Sequence, residues 1–143
     1  SEQLDQLESM ARRVHDCVGW HCELYIDSRE LPALETRLLR LPALSIDHLG
    51  LSHEGLPSLL RLARHGVRVK ACGFGRVDFA VPGALQQIHS ANPHALMFGT
   101  DLPSTRAPRP FEDTDIVLLI DALGEDGAGR ALWQNAREFY RLS

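Results

Sequence analysis

The sequence predicts an α/β protein built on a parallel sheet. Three observations predict it. Short apolar stretches of strand character alternate with helical stretches, four times in succession. The connections are short, and each strand-plus-helix unit takes roughly 25 to 30 residues, the length of a βα repeat. Finally, the strand bodies are mostly apolar, apart from the first strand and Lys70, as suits strands covered by helices.

The elements follow in order. EQLDQLESMARRVHDCV reads as an amphipathic helix, with Leu4, Leu7, Met10, Ala11, Val14 and Val18 near helical spacing, and Gly19 ends it. WHCELYID is a strand in which Trp20, Cys22, Leu24 and Ile26 alternate with His21, Glu23 and Tyr25. SRELPALETRLLRL is a helix with Ser28 as its expected N-cap. ALSIDHLG is a strand, and GLPSLLRLARHG a helix closed by Gly66. VRVKACGFG is a strand followed by the short helix PGALQQIHSAN. ALMFGTD is the last strand, followed by the Pro-rich loop PSTRAPRPFEDT. DIVLLIDALG and EDGAGRALWQNAREFYRL are two closing helices. Helix-covered parallel strands form either open doubly wound sheets or closed eight-stranded barrels. The nearest candidate for a phosphate-binding turn, Gly73-Phe74-Gly75, lacks the third glycine and a following helix N-terminus.

The chain has 143 residues, the size of one domain, with 44% hydrophobic and 24% charged residues. Its net charge of -4 comes with no basic patch, which argues against a nucleic-acid partner. No apolar run approaches the roughly 20 residues of a membrane helix. Three scattered cysteines, Cys17, Cys22 and Cys72, do not form a disulfide framework or metal-ligand spacing. They read as inert buried thiols in a reducing, cytoplasmic protein. The chain opens with Ser rather than Met, so residues ahead of it are expected.

The strand ends carry the chemistry. In parallel α/β folds, ligands meet the C-terminal ends of the strands. The four ends here deliver Tyr25, His48, Arg76 and Asp101. Any one of these is commonplace as a cap, a core group or a surface charge. Four in four successive strands point to a site. Pro103 and the long loop leave Asp101 no immediate helix to cap. His21 and Glu23 share the face of Tyr25, a polar lining if the sheet closes. Asp47, beside His48, is expected on the opposite face, and Lys70 is expected to snorkel or to pair with a buried carboxylate.

At these residues the chain resembles the amidohydrolase-related family of hydrolases. Four blocks in order carry the resemblance: GWHCELYID, SIDHLG, VRVKACGFGRV and LMFGTDLP. A closing helix, WQNAREFYRL, matches through Asn135, Ala136 and Tyr140. Within the family the chain is most similar to 2-pyrone-4,6-dicarboxylate lactonase-like proteins. The resemblance implies a (β/α)8 barrel of which this chain supplies about the last four β/α units, as one half-barrel domain over residues 1–143. The family's first-strand His-x-His motif is absent. A missing N-terminal half, or a second chain, is therefore expected to close the barrel.

The resemblance also implies roles. Asp101 would be the general base that activates water, and His48 would hydrogen-bond the lactone carbonyl. Arg76 would hold a substrate carboxylate with bidentate geometry. Tyr25, in the place of a metal-binding histidine of the family, would hydrogen-bond the substrate, with His21 beside it. Arg106, with Arg109, would close the 103–110 loop over a small anionic substrate. No cofactor is expected, since pyrone-dicarboxylate lactonases work without a metal. The alternative is zinc held by His48, Asp101 and first-strand histidines, for hydrolysis or decarboxylation. A third reading is a non-catalytic half-barrel or interaction module.

Overall fold

The computed structural model describes residues 2–142. Its core is a four-stranded parallel sheet in sequential order, β1 (Cys22–Leu24), β2 (Leu44–Ile46), β3 (Arg68–Ala71) and β4 (Leu96–Phe98). Helix α1 (Glu2–Val18) precedes it and stops at Gly19, which takes a φ of 69°. Between strands run α2 (Leu31–Leu38), α3 (Leu56–Arg64) and α4 (Val81–Ala91). Each of these three begins with a proline in its first turn, where the missing N–H is not needed and the fixed φ favours the helix.

The register explains the two faces. Leu24, Ile46, Val69 and Leu96 stand opposite one another across all four strands. They form one apolar row, packed with Leu31, Leu59, Leu62, Leu85 and Ile88 of the covering helices. The alternate residues, Glu23, Ser45, Lys70 and Met97, fall on the other face. That face is polar. Ser45 Oγ, Asp47 Oδ1 and Arg68 Nη1 are buried there without a hydrogen-bond partner among the described residues.

After β4 come the proline-rich loop and α5 (Thr114–Gly129), which packs on α4. Its helical path breaks at Gly124, with φ 70° and ψ 171°, the junction expected between the two closing helices. The second segment continues through a wider turn at Arg130–Gln134 into α6 (Asn135–Tyr140). Asn135 is fully buried and pins this helix to the start of β4. Its Nδ2 donates to Pro93 O at 2.9 Å and to Leu96 O at 2.8 Å.

Several expectations are corrected. The strands hold three or four residues each, shorter than the sequence suggests, because the chain turns off the ladder early. His48, Leu49, Leu51 and Asp101 all have positive φ, and Gly73 has φ 61°. Trp20 precedes β1 rather than belonging to it, and is 68% exposed. Ser28 is not an N-cap. Asp27 caps the short turn before α2, accepting from Arg29 N at 3.0 Å, while buried Ser28 donates to Ser52 O at 2.6 Å. The three cysteines are free, but Cys17 is exposed and only Cys72 is fully buried. Among the described residues, no helix is long and apolar enough to cross a membrane.

Candidate functional site

At the C-terminal ends of β2, β3 and β4 the backbone enters tight turns. His48 sits two residues beyond β2 in a 3-10 turn, with φ 50°. Asp101 sits three residues beyond β4, with φ 60°, and its carbonyl accepts from Ser104 N at 2.7 Å. Left-handed backbone is unfavourable for non-glycine residues and gathers at functional sites. Arg76 leaves β3 through a turn closed by Arg76 N donating to Gly73 O at 2.8 Å.

These three side chains converge on one point, the Cα hydrogen of Gly73. A methyl group placed there would lie 2.7 Å from His48 Nδ1, 3.0 Å from Arg76 Cδ and 3.1 Å from Asp101 Oδ2. Only glycine leaves room for this convergence, and its φ of 61° suits glycine as well. Arg76 Nε donates to Asp101 Oδ2 at 2.6 Å, a short charge-assisted bond between half-buried groups. Arg76 Nη2 donates to Thr105 O at 3.0 Å and so ties the following loop to the site. Two edges of the guanidinium are thus engaged within the protein, and the bidentate substrate clamp expected of Arg76 is not its arrangement here.

His48 is buried. Its Nδ1 lies 3.2 Å from Cys72 Sγ, and the ring of Tyr25 meets it edge-on with centroids 5.3 Å apart. Burial pushes the His48 imidazole below its usual value, against the pull of Asp101 and Asp47. Tyr25 itself is 66% exposed.

A cavity of about 390 Å³ opens beside these groups. His48, Asp101, Cys72, Asp47, Lys70 and Tyr140 are among its lining residues. Asp47 shares the cavity with His48 instead of pointing away from it: Asp47 stays extended on the face of Ser45 and Glu23, and it is His48 that leaves the strand alternation, at positive φ. Lys70 is paired, with Nζ 2.5 Å from Glu23 Oε2 and 3.5 Å from Asp47 Oδ1. Burial opposes its charge, but Glu23 and Asp47 outweigh that and hold the ammonium above its usual value. Burial likewise pushes Asp47 above the usual carboxylate value, with Lys70 pulling the other way.

The structure therefore brings together His48, Arg76 and Asp101, with Tyr25 alongside. His21 and Arg106 do not join them. His21 packs against Phe139 and Tyr140 at centroid distances of 4.7 and 5.1 Å, toward the opposite end of β1. Arg106 is exposed on its loop, and Arg109 is committed to Asp115 at 2.8 Å. Sequence reasoning passed over Glu23, Asp47 and Cys72 as site residues. The signal was the period-2 pair Lys70 on β3 and Cys72 just past its end, which places both on the face of Glu23.

The donor set bears on a metal. Among the described residues no three His, Cys, Asp or Glu groups are grouped to hold an ion. His48 Nδ1 faces Cys72, and Asp101 Oδ2 faces a guanidinium. Even with His48 Nε2 and Asp101 Oδ1 left over, two donors are short of the three or four protein ligands of a zinc site. This chain's residues do not by themselves fit one.

The family profile described as Amidohydrolase (Amidohydro_2) matches residues 8–142. No curated protein matches the chain. Among solved structures, it is similar to Agrobacterium tumefaciens ATU3138, with a TM-score of 0.78 and 22% identity over 98% of this chain. It is also similar to amidohydrolase 2 from Bifidobacterium longum subsp. infantis, with a TM-score of 0.72 and 23% identity, again over 98% of this chain. The chain spans 57% and 55% of the length of those two structures. Likeness at that identity speaks for the α/β fold; the profile match, over nearly the whole chain, speaks for the family. The chain belongs to the amidohydrolase family.

Proposed function

We propose that this chain is the site-bearing half of a (β/α)8 hydrolase that opens the lactone ring of a small anionic substrate. The observation that carries the reading is the convergence of His48, Arg76 and Asp101 around Gly73, beside a cavity at the C-terminal strand ends. Asp101 is the general base. Arg76 holds one carboxylate oxygen at 2.6 Å, which orients the other toward water. The water adds to the lactone carbonyl, and its proton passes to Asp101. His48, kept neutral by burial, donates a hydrogen bond to the developing oxyanion. Collapse of the tetrahedral adduct expels the ring oxygen, which takes the proton back from Asp101.

The substrate's carboxylate then meets whatever donors of Arg76 remain, together with Tyr25. Strands outside this chain, whether a longer polypeptide or a second chain, close the barrel. The buried, unpartnered Ser45 Oγ and Arg68 Nη1 atoms on the polar face support that closure, since buried polar groups are nearly always satisfied.

The test is turnover of 2-pyrone-4,6-dicarboxylate and a panel of sugar lactones by the protein and by Asp101→Asn. Asp101→Asn should lose at least about a thousandfold in kcat with an unchanged circular dichroism spectrum. Near-native turnover by that variant would remove Asp101 from the mechanism. Inertness of the unmodified protein toward every lactone would overturn the substrate class.

A further inference from the structure

We infer that Cys72 is a positioning residue: its thiol donates to His48 Nδ1 and holds the imidazole in the tautomer protonated at Nε2. The catalytic meaning of this rests on the reading of His48 as donor to the substrate carbonyl; the tautomer itself does not.

The geometry is specific. Sγ stands 3.2 Å from Nδ1, and the two residues are 6% and 9% exposed. A neutral imidazole carries its proton on one nitrogen only, and the partner of the other nitrogen decides which. Among the described residues, Cys72 Sγ is the hydrogen-bond partner of Nδ1. The bond between sulfur and nitrogen has two possible directions, and chemistry chooses between them. Thiol sulfur is a poor acceptor, whereas the lone pair of an imidazole nitrogen is a good one. Burial pushes the thiol up to about 11, so the sulfur keeps its proton at neutral pH. With Nδ1 accepting, Nε2 carries the one ring proton, and that is the proton an oxyanion would receive. Cys72 is thus neither a nucleophile nor an inert filler of the core.

The test reads the tautomer directly. Protein labelled with 15N-histidine is examined by long-range 15N–1H correlation at neutral pH, with His48→Gln assigning the signal among the seven histidines. The expected result is a single Nε2–H tautomer in the unmodified protein and in Cys72→Ser. Cys72→Ala should give a mixture in which the Nδ1–H form rises severalfold. An Nδ1–H tautomer in the unmodified protein, or a Cys72→Ala spectrum identical to it, would overturn the inference. In the lactone assay Cys72→Ala should lower kcat about tenfold at unchanged KM, and Cys72→Ser should restore it. Unchanged kcat in Cys72→Ala would also count against the role. If no lactone is turned over, the catalytic reading fails and the tautomer alone decides what Cys72 does.

Discussion

Gly73→Ala is the most informative single change in this molecule, because one methyl group would touch three proposed site residues. The new Cβ would lie 2.7 Å from His48 Nδ1, where ordinary contact begins near 3.4 Å, so the ring must retreat by about 0.7 Å. Asp101 Oδ2, at 3.1 Å, must give by about 0.3 Å, and Arg76 Cδ, at 3.0 Å, by a little more. The φ of 61° adds a left-handed alanine, at about 1–2 kcal/mol. Overpacking against buried neighbours adds about 1–3 kcal/mol. Together these lower the unfolding free energy by about 2–5 kcal/mol, read as a shift of the urea midpoint at constant slope. Turnover should fall further than stability does. Displacement of a catalytic group by about 1 Å costs about a hundredfold, and a retreat of 0.7 Å should cost ten- to a hundredfold in kcat. A variant within about 0.5 kcal/mol of the parent and equally active would refute the convergence on which the site is built.

Three further outcomes follow from the same structure. Asn135→Ala removes both bonds that hold α6 to Pro93 O and Leu96 O and should cost about 2–4 kcal/mol by chemical denaturation. Lys70→Met leaves Glu23 and Asp47 facing each other without their cation. Stability at pH 7 should fall by about 1–3 kcal/mol and recover as the pH is lowered and Asp47 takes a proton, which a pH series of urea midpoints would display. At Asp27 the sign is opposite. Arg29, helped by a backbone N–H and the Ser52 hydroxyl, holds the Asp27 carboxyl well below the usual carboxylate range. Its contribution is present above about pH 4, the unfolded value, and is lost as the pH falls toward the depressed folded value. Asp27→Asn keeps a capping side chain but not the ion pair. The variant should therefore show a smaller loss of stability than the parent between pH 5 and pH 3.

Periodicity and punctuation in the chain are local properties, and they determined the alternation of strands and helices by themselves. Leu-Pro and Val-Pro at residues 31–32, 56–57 and 81–82 mark three helix starts because proline's fixed φ acts within its own turn. Gly19 and Gly124 mark a helix end and a break for an equally local reason. His48, Arg76 and Asp101 were also legible, since residues just past parallel strands share one end of the sheet whatever their partners. What only tertiary structure decided was pairing. Arg76 turns its guanidinium onto Asp101 rather than a ligand, Arg109 onto Asp115, and Lys70 onto Glu23 and Asp47. Each of these depends on the distance between side chains 6 to 47 residues apart, set by sheet register and by turns of positive φ. Asp47 shows the limit most clearly. It was expected to face away from His48, yet alternation keeps it with Ser45 and Glu23, and His48 leaves the ladder through a turn of positive φ, so both residues line the same cavity.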